Sequence, residues 1–124
     1  MAATPSRLAP CPKNPNCVST QAPEGSSKRM DPIPYTGTLA QARARMLQVL
    51  RDHPRTRIVQ EEPGYLKAEC RSRIFRFVDY VELLFDDAAR QIHFRSASRL
   101  GRKDFGVNRE RMETIRKAFL ATGG

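Results

Sequence analysis

The chain has 124 residues, 28% of them charged, and a formal net charge of +9. That length suits one domain with a buried core and is short for two. Three cysteines exclude a multi-disulfide scaffold, and no apolar run approaches the roughly eighteen residues that mark a membrane-spanning helix.

Residues 1–36 hold seven of the nine prolines and show neither helical nor strand periodicity. They predict an irregular, proline-rich N-terminal arm that carries Cys11 and Cys17. Its end, Asp31-Pro32-Ile33-Pro34-Tyr35, reads as extended, because a residue before proline is driven out of the α region. Residues 37–124 read as a single α+β domain. The first helix starts with Thr38 as N-cap and Gln41 three residues on, a capping box. Leu39, Ala42, Met46, Val49 and Leu50 form its apolar face, and His53-Pro54 ends it.

Four strands follow, at 57–61, 65–72, 78–85 and 91–98. Their alternation puts Leu66, Ala68 and Cys70 on one face, then Val81, Leu83 and Phe85, then Ile92 and Phe94, with His93 and Arg95 outward. The short links at Glu62-Pro63-Gly64 and Asp86-Asp87 predict an antiparallel meander. Asn108 reads as the N-cap of the last helix, with Val107 and Met112 as a hydrophobic staple across it and Met112, Ile115 and Phe119 as its buried stripe. The predicted fold is α+β: helix, four-stranded antiparallel meander, helix, with both helices on the sheet's apolar face.

Two stretches carry candidate chemistry. In Cys11-Pro12-Lys13-Asn14-Pro15-Asn16-Cys17, two prolines restrict the chain between the thiols, and a disulfide there would fasten the arm. The competing readings are a reactive thiol, which needs a nearby cation or helix N-terminus, and inert free cysteines. A metal site is short of ligands, since His53 and His93 are the only histidines and neither has metal-site spacing. The second stretch, Arg95 to Arg109, is a strand ending in hydroxyls and guanidinium groups, a loop with two glycines, and a helix N-terminus. Such parts bind anions, and Ser96, Ser98, Arg99, Asp104, Asn108 and Arg109 are the candidate ligand residues. The competing reading pairs Arg99 and Arg109 with Asp104 or other carboxylates and leaves Asn108 only a cap. No glycine-rich nucleotide fingerprint is present.

Together the two stretches, C-P-x-x-P-N-C-V-S at Cys11 to Ser19 and R-S-A-S-R-x-G-x-x-D-x-G-x-N-R-x-R at Arg95 to Arg111, resemble the DUF1499 family, whose function is unknown. The resemblance spans nearly the whole chain and implies that both stretches belong to one unit, with the arm packed near the Arg/Ser loop. Thr20 stands where a second serine is common in that family and keeps the hydroxyl. Many members of that family carry an export or membrane-anchoring segment before the cysteine motif. The chain as given begins without one, so the expectation is a soluble cytoplasmic protein, or a periplasmic or exported one from which a leader has been removed.

The charge bears on partners. Residues 96–124 hold seven basic side chains against three acidic ones, and arginine outnumbers lysine 17 to 5. That balance suits a phosphate- or carboxylate-bearing small molecule or a lipid headgroup, so the leading reading is an anion-binding module without cofactor, metal or catalytic residues. A structural or protein-interaction domain is the alternative. A thiol-dependent enzyme using Cys11 or Cys17, with His93 or Asp104 as proton acceptor, and a nucleic-acid binder stand behind it, the latter resting on little more than Phe75-Arg76-Phe77.

Overall fold

The computed structural model describes residues 7–12, 17–72, 77–98 and 106–123. In chain order its elements are β1 (Cys17–Ser19), β2 (Ile33–Pro34), α1 (Leu39–Asp52), β3 (Thr56–Glu62), β4 (Tyr65–Arg71), β5 (Val78–Asp86), β6 (Gln91–Ser98) and α2 (Val107–Leu120). The capping box of α1 forms as its sequence predicts. The Gln41 backbone N–H donates to Thr38 Oγ1 at 3.1 Å, and the Thr38 N–H donates to Gln41 Oε1 at 2.9 Å. Two donors left over by the helical ladder are thereby satisfied. At the far end Pro54 lacks an N–H, and the chain leaves the helix through His53 in an extended conformation.

β3 to β6 form the expected antiparallel meander, with Leu66↔Leu83 and Leu83↔Phe94 in register across three strands. The sheet has six strands rather than four, because two short segments of the arm pair with β6. β1 meets the distal half of β6 through Val18↔Ser96, and β2 meets its start through Ile33↔Ile92. Neither segment was visible as a strand: three residues and two residues are too short to show alternation, and the strand they pair with, β6, is distant in sequence.

One face of the sheet is covered by both helices. Met46, Leu50, Met112, Ile115 and Phe119 from the helices and Leu66, Val81, Leu83, Ile92 and Phe94 from the sheet are all fully buried in one cluster. Val18 and Ile33 bring the arm into the same core. The opposite face carries paired polar side chains: Tyr65 Oη donates to Glu82 Oε2 at 2.5 Å, and Arg95 pairs with Glu82 at 3.3 Å. Leu8 crosses this face and buries itself against Tyr65 and Leu84. The arm therefore contributes to both sides of the sheet. Among the described residues no helix is long and apolar enough to cross a membrane.

The start of α2 departs from expectation. The helix begins two residues earlier than an Asn108 cap requires, with Gly106 as N-cap at φ 83° and no side-chain capping bond. Glycine suits that left-handed conformation, which an asparagine two residues on does not need to supply. Val107 is 43% exposed while Met112 is fully buried, so the predicted staple does not form. Asn108 is instead buried completely inside the first turn, where its side chain has another task.

Candidate functional site

Along β5 and β6 the apolar series of the core face gives way to polar residues near one end of the sheet. β5 changes from Val81 to Asp79, and β6 from Phe94 to Ser96 and Ser98. The two ends are neighbours, through Asp79↔Ser98 and Val81↔Ser96. The first turn of α2 lies over them. Ser96 Oγ donates to Asn108 Oδ1 at 2.7 Å, and Asn108 Nδ2 donates to Ser98 Oγ at 3.4 Å.

Arg111, three residues beyond Asn108 and so on the same helix face, completes the cluster. Its Nη1 donates to Asn108 Oδ1 at 2.8 Å and to Ser96 Oγ at 3.2 Å, and its Nη2 donates to Asp79 Oδ2 at 2.8 Å. The Arg111 and Asp79 side chains are only 9% and 4% exposed. A pair so far from water is tolerated because each charge finds an opposite charge and further hydrogen bonds. Sequence reasoning did not single out Arg111 or Asp79. The usable signal was Asp79 at an inward position of an otherwise apolar strand, since a carboxylate there requires a buried cation.

Arg109 goes elsewhere. Its Nη2 donates to the carbonyls of Ser27 at 2.6 Å and Arg29 at 3.5 Å. Arg116, two helical turns on, donates to the carbonyls of Asp31 and, at 3.3 Å, Pro32. Arg29 in turn donates to the Ala22 carbonyl at 2.7 Å. Arg109 and Arg116 hold the arm against α2, Arg29 braces the arm internally, and the three guanidinium groups border a cavity of about 540 Å³ that Asp31 and Glu113 also line. The candidate ligand set is thus divided. Ser96, Ser98 and Asn108 come together in the buried cluster, Arg109 belongs to the cleft between α2 and the arm, and Arg99 and Asp104 lie outside the described residues.

The arm's cysteines are joined. Cys11 and Cys17 form a disulfide across a Cα–Cα distance of 5.7 Å. Cys17 is fixed within β1 and buried, so the bond ties the chain ahead of it to the sheet edge. Leu8 N–H donates to Gln21 Oε1 at 2.9 Å and Lys28 Nζ donates to the Pro12 carbonyl, which hold the same stretch from two more directions. Cys70 is a free, buried thiol whose pKa burial pushes up, the opposite of an activated nucleophile.

The histidines differ from each other. His93 Nδ1 lies 2.9 Å from Thr20 Oγ1 on the outer face, so the hydroxyl at position 20 links the arm to β6. His53, at the end of α1, is half-buried with Nδ1 2.9 Å from Thr56 Oγ1. Burial lowers its pKa, and the Arg111 and Arg55 charges add to the effect against a hydrogen bond at the Pro54 backbone. Among the described residues no cluster of three or more His, Cys, Asp or Glu has a metal-binding arrangement.

Fold and site together define a small α+β domain: a six-stranded antiparallel sheet backed by two helices, whose arm is fastened at its edge by a disulfide and by arginines from α2. The family model for a protein of unknown function, DUF1499, matches residues 7–119, and the chain belongs to that family. No curated protein matches the sequence.

Proposed function

We propose that this domain is a binding module for an anionic small molecule or lipid headgroup, one that carries a phosphate or carboxylate and is taken in the cleft between α2 and the arm. The observation that supports the reading is the convergence of Arg29, Arg109 and Arg116 on one polar cavity, where their hydrogen-bond acceptors are main-chain carbonyls. A carbonyl accepts an N–H but does not cancel a charge, and each guanidinium has five N–H donors. Among the described residues none of the three forms a salt bridge. Asp31 and Glu113 offset part of the charge and leave one positive charge in excess around the cavity. Arginine suits such a role because its planar fork matches both carboxylate and phosphate oxygens.

Native mass spectrometry of the purified full chain tests the reading. A bound anion lost on denaturation is the expected result, with retention reduced at least tenfold in an Arg109→Gln/Arg116→Gln variant and preserved in Arg109→Lys/Arg116→Lys. Retention unchanged by the glutamine pair would overturn it.

The second reading, a structural or interaction domain, is favoured by the engagement of Ser96, Asn108, Arg111 and Asp79 with one another. Under it the glutamine pair loosens the arm, measured as faster proteolysis, and no anion is carried. The thiol-dependent enzyme reading loses its nucleophile here, because Cys11 and Cys17 are bonded to each other.

A further inference from the structure

The corner where α1 ends gathers a second set of cations. After Pro54 stops the helix, Arg55 turns the chain at φ 53° into β3, which pairs with β4 through Thr56↔Cys70 and Arg57↔Glu69. A hollow of about 460 Å³ remains there, walled by Arg51, His53, Arg55, Thr56, Arg57 and Arg71. Two carboxylates also line it, and both are engaged. Glu69 is shared by Arg57 at 3.3 Å and Arg71 at 3.5 Å, and Asp52 accepts from Gln48 Nε2 at 2.9 Å. Four guanidinium groups face two carboxylates, so two positive charges remain in excess. The C-terminal end of α1 contributes only about half a negative charge against them.

At the wall of this hollow stands a hydroxyl–imidazole pair. Thr56 Oγ1 lies 2.9 Å from His53 Nδ1, 3.1 Å from the Pro54 carbonyl and 3.4 Å from Cys70 Sγ. The charged and titratable groups around His53 are Arg51 and Asp52 on α1, Arg55 in the turn, Arg57 on β3, Glu69, Cys70 and Arg71 on β4, and Arg111 on α2 with its partner Asp79 on β5. Positive charge dominates this set, which disfavours a proton on the imidazole. An anion that neutralised it would reverse that preference.

We propose that this hollow binds a dianionic tetrahedral oxyanion, phosphate or sulfate in chemistry, between Arg51, Arg55 and Arg71, with His53 protonated on binding. None of these residues belongs to the cleft between α2 and the arm, so the site stands or falls independently of the function proposed above. Recruitment of a proton with the anion follows from linkage: a ligand that prefers the imidazolium form raises the imidazole midpoint, and a threefold preference corresponds to about half a pH unit.

The chain's two histidines provide both a reporter and a control. Imidazole resonances of the isotope-labelled full chain are followed from pH 4.5 to 8 in sodium chloride, in sodium sulfate and in glycerol phosphate at matched ionic strength. The expected result is a rise of about half a unit or more in the His53 midpoint with either oxyanion, while His93 stays where it was. A larger rise with glycerol phosphate assigns the hollow to a phosphorylated small molecule, and a larger rise with sulfate to a free oxyanion. The rise should be lost in Arg51→Gln/Arg55→Asn, in which asparagine keeps the left-handed turn, and retained in Arg109→Gln/Arg116→Gln. A His53 midpoint that does not respond beyond the chloride control, or that moves in step with His93, overturns the proposal.

Discussion

Replacing Arg111 with methionine removes one half of a pair that water hardly reaches. The Arg111 and Asp79 side chains are 9% and 4% exposed, and the change deletes the contact to Asp79 at 2.8 Å together with those to Asn108 at 2.8 Å and Ser96 at 3.2 Å. A buried carboxylate that loses its cation costs about 3–5 kcal/mol. For a domain of this size, at roughly 3–5 °C per kcal/mol, the midpoint of thermal unfolding should fall by about 10–20 °C. The informative comparison is the double variant Asp79→Asn/Arg111→Met, which removes both charges of the pair while leaving an amide to hydrogen-bond. Its loss should be at least about 2 kcal/mol smaller than the sum of the two single losses, as expected for partners in direct contact. Urea unfolding of all four proteins, followed by circular dichroism, measures the cycle. An Arg111→Met loss below about 1 kcal/mol, or strictly additive single losses, would refute the view that this corner of the motif is a folding device.

Four further outcomes follow from other parts of the molecule. Removing the disulfide with Cys11→Ser/Cys17→Ser should lower stability by roughly 2 kcal/mol, the loop-entropy value for so short a ring, and a reductant should have no further effect on that variant in denaturant titrations. Thr38→Ala should cost about 1 kcal/mol through loss of the capping box, read from the same curves. The folded pKa of His53 lies below its unfolded value, so its contribution to stability is complete above about pH 6.5 and is lost as pH falls toward the folded pKa. Stability curves of the parent and His53→Gln should therefore differ in slope only on that acidic side. Burial and the 2.6 Å hydrogen bond to Asp87 push Tyr35 up to about 12, so the alkaline absorbance titration should lose a high-pH phase in Tyr35→Phe.

The parts legible in the sequence are those that depend on near neighbours in the chain. The α1 capping box needs only Thr38 and Gln41, and the inward faces of β4, β5 and β6 follow from strict alternation at Leu66 to Cys70, Val81 to Phe85 and Ile92 to Phe94. Hydrophobic periodicity likewise identifies Met112, Ile115 and Phe119 as the buried stripe of α2. Family membership was legible as well, because the cysteine and Arg/Ser motifs are long and occur in a set order. The start of α2 shows where local signals mislead. Asn108 has the chemistry of a cap, but the buried oxygen of Ser96 and the guanidinium of Arg111 offered its side chain partners inside the fold.

Tertiary structure decided whatever required distant residues to meet. β1 and β2 become strands only because β6 presents an open edge to them, and no periodicity within three residues and two residues announces that pairing. The candidate ligand residues were adjacent in sequence, yet neighbouring positions on a helix point in different directions. Asn108 therefore entered the core while Arg109 reached the arm. Asp79 and Arg111 are separated by a strand, a turn and a helix start, and only the packing of α2 over the ends of β5 and β6 makes them a pair. His53, Thr56, Arg51, Arg55 and Arg57 are near neighbours in the chain, but it is the return of β4 beside β3 that adds Arg71 and Glu69 to them. Local composition supplied the basic side chains, and the long-range pairing of strands and helices determined which of those charges are neutralised and which remain in excess.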